Sequence, residues 1–210
     1  YPSYSTMNEY DVMGISAMEW EKYAEDNNLY RERALGKIKT EKEIINKIVD
    51  IMPYNLTDNQ KREILNRRQE RMKRALLNVD NEILNTIKQL HYKDIKLGLI
   101  SNSDIIDSKH WKESSLSEFF DVAVFSCDAG IMKPDTKIYE TAMHMLSVSP
   151  KESIFVGDGG SDELYGAKIA GMRTVFTEYL ERKPSDKIEK IKLYADFHID
   201  KFYELLRCLE

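Results

Sequence analysis

From Ile95 onward the chain repeats one pattern, a short unbroken apolar run followed by a stretch with helical spacing. The runs are "IKLGLIS" (Ile95–Ser101), "DVAVFSC" (Asp121–Cys127), "SIFVGD" (Ser153–Asp158) and "MRTVFT" (Met172–Thr177), with "DFHID" around Phe197 as a weaker fifth. A strand that is apolar at successive positions has to be covered on both faces, and strands that alternate with helices form a parallel sheet with helices on either side. Helices are predicted over 108–119, 135–146 and 161–170. The expected fold class is therefore α/β, a doubly wound parallel sheet whose ligands sit at the carboxyl ends of its strands.

Before residue 94 no run reads convincingly as a strand. "EKEIINKIVDIM" (Glu41–Met52) places Ile44, Ile45, Ile48 and Ile51 at helical spacing, and Pro53 stops it. A second helix is predicted from Asp58 to about Asn78, capped by Thr57 or Asp58, with Ile64, Leu65, Met72 and Leu76 on one face. Residues 1–79 are thus expected to form a helical domain and residues 80–210 the α/β core. The segment Lys61–Arg74 carries seven basic residues interrupted by Glu63 and Glu70. It reads first as a solvated helix face with i,i+4 pairing, and second as a grip for an anion.

With 210 residues and 42% apolar content the chain can bury a substantial core. Its net charge of −5 argues against a general nucleic-acid partner, which would need a surplus of Lys and Arg on one surface. No stretch approaches the ~20 apolar residues of a membrane span, and the start lacks the basic and apolar regions of a signal peptide. Cys127 and Cys208 show no metal or redox spacing and are read as buried thiols, which favours a reducing, cytoplasmic location. His91, His110, His144 and His198 show no ligand spacing and are read as structural or surface residues. Tyr1, Tyr4, Tyr10, Trp20, Tyr23 and Tyr30 could stack on a ligand ring, but their spacing suits the packing of a helical domain.

Three strand ends carry chemistry. At the first, Ser101 is followed by Asn102, Ser103 and Asp104, a hydroxyl and successive N–H groups that suit an anion such as phosphate; helix capping by Ser103 or Asp104 explains the same residues equally well. At the second, Lys133 precedes Pro134, which is expected to open a helix at its first-turn position and so to fix a positive charge beside it. The third, "GDGGSDE" (Gly157–Glu163), packs three glycines and three acids into one turn. There Asp158 stands at the strand end, where a hard cation with oxygen ligands would sit, while Asp162 and Glu163 begin a helix that acids either cap or use to reach the cation.

Together, "LGLISNSD", "KPDTKIY" and "VGDGGSDELYGAKIAGM" resemble, in order and spacing, the second, third and fourth motifs of the haloacid dehalogenase-like hydrolase superfamily, and the helical first eighty residues resemble the cap many members insert. The resemblance implies a Mg²⁺-dependent phosphatase for a small phosphorylated substrate, working through an aspartyl-phosphate. Ser101 and the amide of Asn102 would hold the phosphoryl group and Lys133 would offset its charge. Asp158 would bind Mg²⁺, and Asp162 or Glu163 would orient the metal's waters or Lys133. The alternatives are a binding module on the same fold and, with less support because it needs no metal, a dehalogenase. The family's first motif, an apolar strand ending in Asp-x-Asp that carries the nucleophile, has no counterpart here. Asp11 in "NEYDVMGIS" has polar residues before it and Met13 in place of the second acid. The resemblance places that strand between those ending at Ser101 and Asp158 and hence upstream of Tyr1. Without it, buried backbone groups at about 1–3 kcal/mol each would be left unpaired, so the domain is not expected to fold stably from these residues alone.

Overall fold

A computed structural model describes residues 8–209; Tyr1 and Tyr4 lie outside the described residues. The chain divides into two compact units. One gathers the residues up to Asn78 together with Asn102–Ser114 and Phe125–Gly130; the other gathers Val79–Ser101, Ser115–Val124 and the chain from Ile131 on.

The first unit is helical. Its elements are α1 (Ala17–Ala24), α2 (Asn27–Ala34), α3 (Glu41–Asp50) and α4 (Asp58–Leu77). Helix α3 begins where the Thr40 side chain accepts the Glu43 N–H, and it buries Ile44, Ile45, Ile48 and Val49; each such side chain contributes roughly 1.5–3 kcal/mol of burial. Helix α4 starts with a reciprocal capping box between Thr57 and Gln60, which satisfies two N–H groups the first turn would otherwise leave open. Ile64 and Met72 of α4 join the α3 isoleucines, Trp20 and Leu29 in one apolar cluster.

The basic run on α4 departs from the expected solvated face. Arg67 pairs with Glu63 and Arg74 with Glu70, one turn apart, but Arg68 is 5% exposed. Its Nη2 donates to Asp104 at 2.8 Å and to Asp107 at 3.0 Å. Arg33, also buried, lies 3.4 Å from the same Asp104 carboxylate. The reason is geometric: position 68 shares the helix face of Ile64 and Met72, so a cation there is buried with them and has to find an acid.

The second unit holds the sheet. Beyond α5 (Asn81–Tyr92), strand β1 (Gly98–Ser101) pairs with β2 (Val122–Phe125, of which Phe125 groups with the first unit). Strands β3 (Ile154–Gly157), β4 (Arg173–Thr177) and β5 (Phe197–Ile199) form a separate parallel sheet in the order β3-β4-β5. Side chains alternate across the strands with period two. Ile100, Phe155 and Phe176 face a layer that contains Ile138, Tyr139, Ala142, Met143, Leu164 and Ala167. Leu97, Ile154, Val156 and Val175 face a second layer with Ile87, Leu90, Ile199 and Leu205. The β3-β4-β5 sheet thus contributes to both apolar layers, the covered-on-two-faces pattern its sequence implies, while β1 reaches the first layer through Ile100 and the residue just before it, Leu97, reaches the second. No ladder joins β1 to β3 among the described residues. Strand β4, paired on both sides, has three successive buried residues, whereas β1 has none and β3 one.

Three local expectations are corrected. The helix predicted over 108–119 is instead one turn, α6 (Ile105–Ser108), followed by 3₁₀ turns at Trp111–Glu113 and Ser117–Phe119. Asp104 caps α6 early by accepting from Ile106 and Asp107, and the serines at 114, 115 and 117 compete with helical bonding downstream. The apolar run to Cys127 leaves the sheet at Phe125 and turns helical as α7 (Ser126–Ala129). Pro134 does not open a helix: α8 (Thr136–Leu146) begins two residues later, because the Asp135 side chain accepts the Lys137 N–H. No helix of the described residues is long and apolar enough to cross a membrane, and both cysteines are free, buried thiols.

The contrast on α4 is testable. Arg68→Met takes from the buried Asp104 its nearer cation, leaving Arg33 at 3.4 Å, and is expected to lower stability by about 3 kcal/mol, while Arg74→Met, at an exposed i,i+4 pair, should cost no more than about 0.5 kcal/mol. Urea denaturation of the two variants measures the difference.

Candidate functional site

The strand-to-helix turn after β3 explains its own composition. Helix α9 (Glu163–Ile169) begins at Glu163, but the Glu163 side chain folds back over the turn and is 5% exposed. One carboxylate oxygen accepts the Gly159 N–H at 3.1 Å and the other accepts from Lys133 Nζ at 2.6 Å. A Cβ at position 157 would collide with that carboxylate, so only glycine leaves it room. Gly159 has φ +80°, the left-handed region that glycine enters without strain, and a side chain there would also strike Ile191. Two of the three glycines therefore exist to let one acid cross the turn.

Lys133 is correspondingly fixed. Its ammonium lies 5.7 Å from the centre of the Phe155 ring, and Phe155 meets Tyr139 edge-on with ring centres 5.2 Å apart. The Tyr139 hydroxyl, fully buried, donates to the Glu163 carbonyl at 2.8 Å. Burial, with the Glu163 carboxylate nearby, pushes the Tyr139 hydroxyl well above the usual phenol range, so it stays a donor. Burial also raises the pKa of Glu163, against the opposing pull of Lys133.

Asp158 follows β3 directly, with its side chain half exposed. The Gly160 N–H donates to one oxygen at 2.9 Å and Lys183 Nζ to the other at 3.2 Å. Burial alone would raise its pKa; the Gly160 N–H and Lys183 outweigh that and hold it below the usual carboxylate range. An ionised carboxylate at the strand end, already drawing a cation, is the donor a hard divalent ion requires, so these residues fit Mg²⁺. Asp162 is exposed, has φ +49°, and makes no side-chain capping bond.

The structure thus brings Lys133 and Glu163 into contact and sets Asp158 five residues before the glutamate on the same turn. Ser101 ends β1 half-buried. Asn102 opens a segment that groups with the first unit, so the expected anion-binding turn is divided between units. Ser103 and Asp104 are buried; Asp104 takes the capping role that was one of two readings of this stretch. Asp11 sits in a 3₁₀ turn, Glu9–Val12, where it accepts from Asn8. Lys183 escaped the sequence reading because "ERKPSD" is a charged loop without period. Tyr139 sits in the stretch predicted to be helical over 135–146, and only the fold shows its hydroxyl on the Glu163 carbonyl.

Comparison with known proteins adds to this geometry. The family model for haloacid dehalogenase-like hydrolases matches residues 6–177. A glyceraldehyde 3-phosphate phosphatase of Pyrococcus furiosus is 34% identical over 128 residues, which cover 60% of this chain and 52% of that protein. The pyrophosphatase PpaX of Halalkalibacterium halodurans is 36% identical over 101 residues, 48% of this chain and 46% of its own. The chain therefore spans about half the length of these curated relatives. Among solved structures, a dehalogenase superposes with a TM-score of 0.66 at 20% identity, covering 99% of this chain and 94% of that one. A phosphatase from Thermococcus onnurineus superposes at 0.60 and 24% identity, covering 96% and 85%. At these identities the superpositions speak for the fold.

The buried pair gives a second prediction. In a double-mutant cycle of Lys133→Met and Glu163→Gln, the coupling energy should fall at about 1–3 kcal/mol, because each substitution alone leaves its partner buried and uncompensated. Chemical denaturation of the four proteins measures it, and additive effects would mean the pair is not formed.

Proposed function

The chain belongs to the haloacid dehalogenase-like hydrolases, and from that premise we propose that it is part of a Mg²⁺-dependent phosphatase acting on a small phosphomonoester. The observation that carries this reading is the ammonium of Lys133 held by Glu163, the glutamate that closes the turn carrying the ionised Asp158, so that a fixed cation and a cation-binding carboxylate are tied to one turn. Phosphoryl transfer depends mostly on such positioning and on positive charge set against the phosphoryl oxygens. The name of the relative from Pyrococcus supports a small phosphomonoester, and that of the relative from Halalkalibacterium supports phosphoryl hydrolysis in general.

In this proposal Lys133 faces the phosphoryl oxygens, and Glu163 keeps its ammonium from wandering. Glu163 is assigned to Lys133 and not to the metal, since both of its oxygens are already engaged. Asp158 would hold Mg²⁺, which when bound supplies further positive charge to the same oxygens; Asp162, exposed on the adjoining turn, would reach its waters. Ser101 and the amide of Asn102 would take the remaining phosphoryl oxygens. The nucleophilic aspartate is assigned to a strand of the natural protein outside Tyr1–Glu210, lying between β1 and β3. That no ladder joins those two strands among the described residues, and that both are partly exposed, supports that placement. Its carboxylate oxygen would bond phosphorus as the P–O ester bond breaks and the leaving oxygen takes a proton from the second acid of the same motif; water, giving a proton back to that acid, would then cleave the acyl phosphate to inorganic phosphate and the free aspartate. A cytoplasmic location is proposed with it, from the two buried thiols.

The test is hydrolysis of p-nitrophenyl phosphate by protein expressed from the full natural reading frame, with Mg²⁺ and with EDTA. Turnover should need Mg²⁺, and Asp158→Ala and Lys133→Ala should each lower kcat by about a hundredfold or more. Turnover indifferent to EDTA, or halide release from 2-haloacids in place of phosphate release, would contradict the proposal.

A further inference from the structure

The parallel register of β4 and β5 pairs Phe176 with His198 and Thr177 with Ile199, and the Glu178 N–H continues the ladder to the Ile199 carbonyl. Side chains two apart share a face of a sheet. Phe176 and Glu178 on one strand and His198 and Asp200 on the next are therefore projected to one side, at the carboxyl ends of β4 and β5. The Phe176 and His198 rings stack, with centroids 4.8 Å apart and planes 17° off parallel. Beyond them His198 Nε2 lies 2.8 Å from Glu178 Oε2 and 3.9 Å from Asp200 Oδ1, and one ligand atom from each residue falls within 4.8 Å of the others.

We infer that Glu178, His198 and Asp200 form a second metal site, separate from Asp158, for a transition-metal dication of the zinc class. The donor set decides the class: an imidazole nitrogen with two carboxylate oxygens suits zinc and its neighbours, while magnesium prefers oxygen alone. Zinc with three protein ligands at about 2.0–2.2 Å commonly leaves a position open for water or another ligand, and the spacings here need only small side-chain rotations to reach that geometry.

Two features beyond the three ligands point the same way. The ring of His198 is oriented by stacking on the fully buried Phe176. Glu178 is oriented as well, since its second oxygen accepts the Lys183 backbone N–H at 3.3 Å. Outer contacts of this kind hold metal ligands in place. Beside the cluster lies a cavity of about 200 Å³ whose wall includes Glu178 and Asp200 and also Tyr179, Arg182 and Lys201. It provides room for the open coordination position, and Glu181 adds a third acid to its wall. Lys183 touches both sites, through its N–H to Glu178 and its ammonium to Asp158.

Protein from the full natural reading frame, held in excess Mg²⁺ to occupy the Asp158 position, is titrated with Co²⁺ as a coloured stand-in for Zn²⁺. One saturable equivalent with visible ligand-field bands, displaced by Zn²⁺ and retained in Asp158→Ala, is expected. His198→Gln and Asp200→Asn should each weaken it by about tenfold or more. Asp200 is exposed, so its variant reports on ligation without threatening the fold, and circular dichroism verifies both. Absence of the bands, bands unchanged in both variants, or bands lost in Asp158→Ala would overturn the inference. The last outcome would place Co²⁺ at the Asp158 position, and none of the three depends on turnover.

Discussion

A single carboxylate crossing a turn governs the site. Glu163 begins a helix, where an acid would ordinarily face solvent and the positive end of the helix dipole. Here it is bent inward to meet Lys133 and the Gly159 amide. A buried ion pair of this kind gains little net stability, because both charges surrender their hydration. What it provides is position. Lys133 is held against the ring of Phe155, the backbone of the turn is drawn around the glutamate, and Asp158 is left as the half-exposed carboxylate at the strand end. Gly157 and the buried Tyr139 follow from the same constraint, one by giving way to the carboxylate and the other by anchoring its backbone carbonyl.

Much of this architecture is legible in the sequence, for reasons that differ from element to element. The isoleucines of α3 and the Thr57 cap of α4 announce themselves because periodicity and capping are local properties. The unbroken apolar runs announce buried strands, and their order with the intervening helices announces the parallel sheet. Asp158 stands out because a strand-end carboxylate between glycines has no packing reason to be there, whereas Lys133 gains meaning only beside the other two motifs. The helix expected over 108–119 fails because Asp104 draws the chain into an early cap. Pro134 misleads in the same way, since the adjacent Asp135 takes the capping role.

What local pattern does not reveal is long-range pairing. Arg68 lies in a basic run that reads as a surface, and its acids, Asp104 and Asp107, are more than thirty residues away. Lys183 reaches Asp158 from a loop with no periodic signal. His198 has Asp200 two residues along, but Glu178, just past β4, reaches it only through strand register. Each of these partnerships needs the fold before it can be seen.

The most direct test of the central claim, that Lys133 and a cation on Asp158 act on the same phosphoryl group, is calorimetric titration of inorganic phosphate into protein expressed from the full natural reading frame. The account predicts that phosphate binds about tenfold or more tightly at saturating Mg²⁺ than in EDTA, and that Lys133→Met weakens binding in both conditions. Phosphate affinity unchanged by Mg²⁺ and by the loss of Lys133 would contradict it.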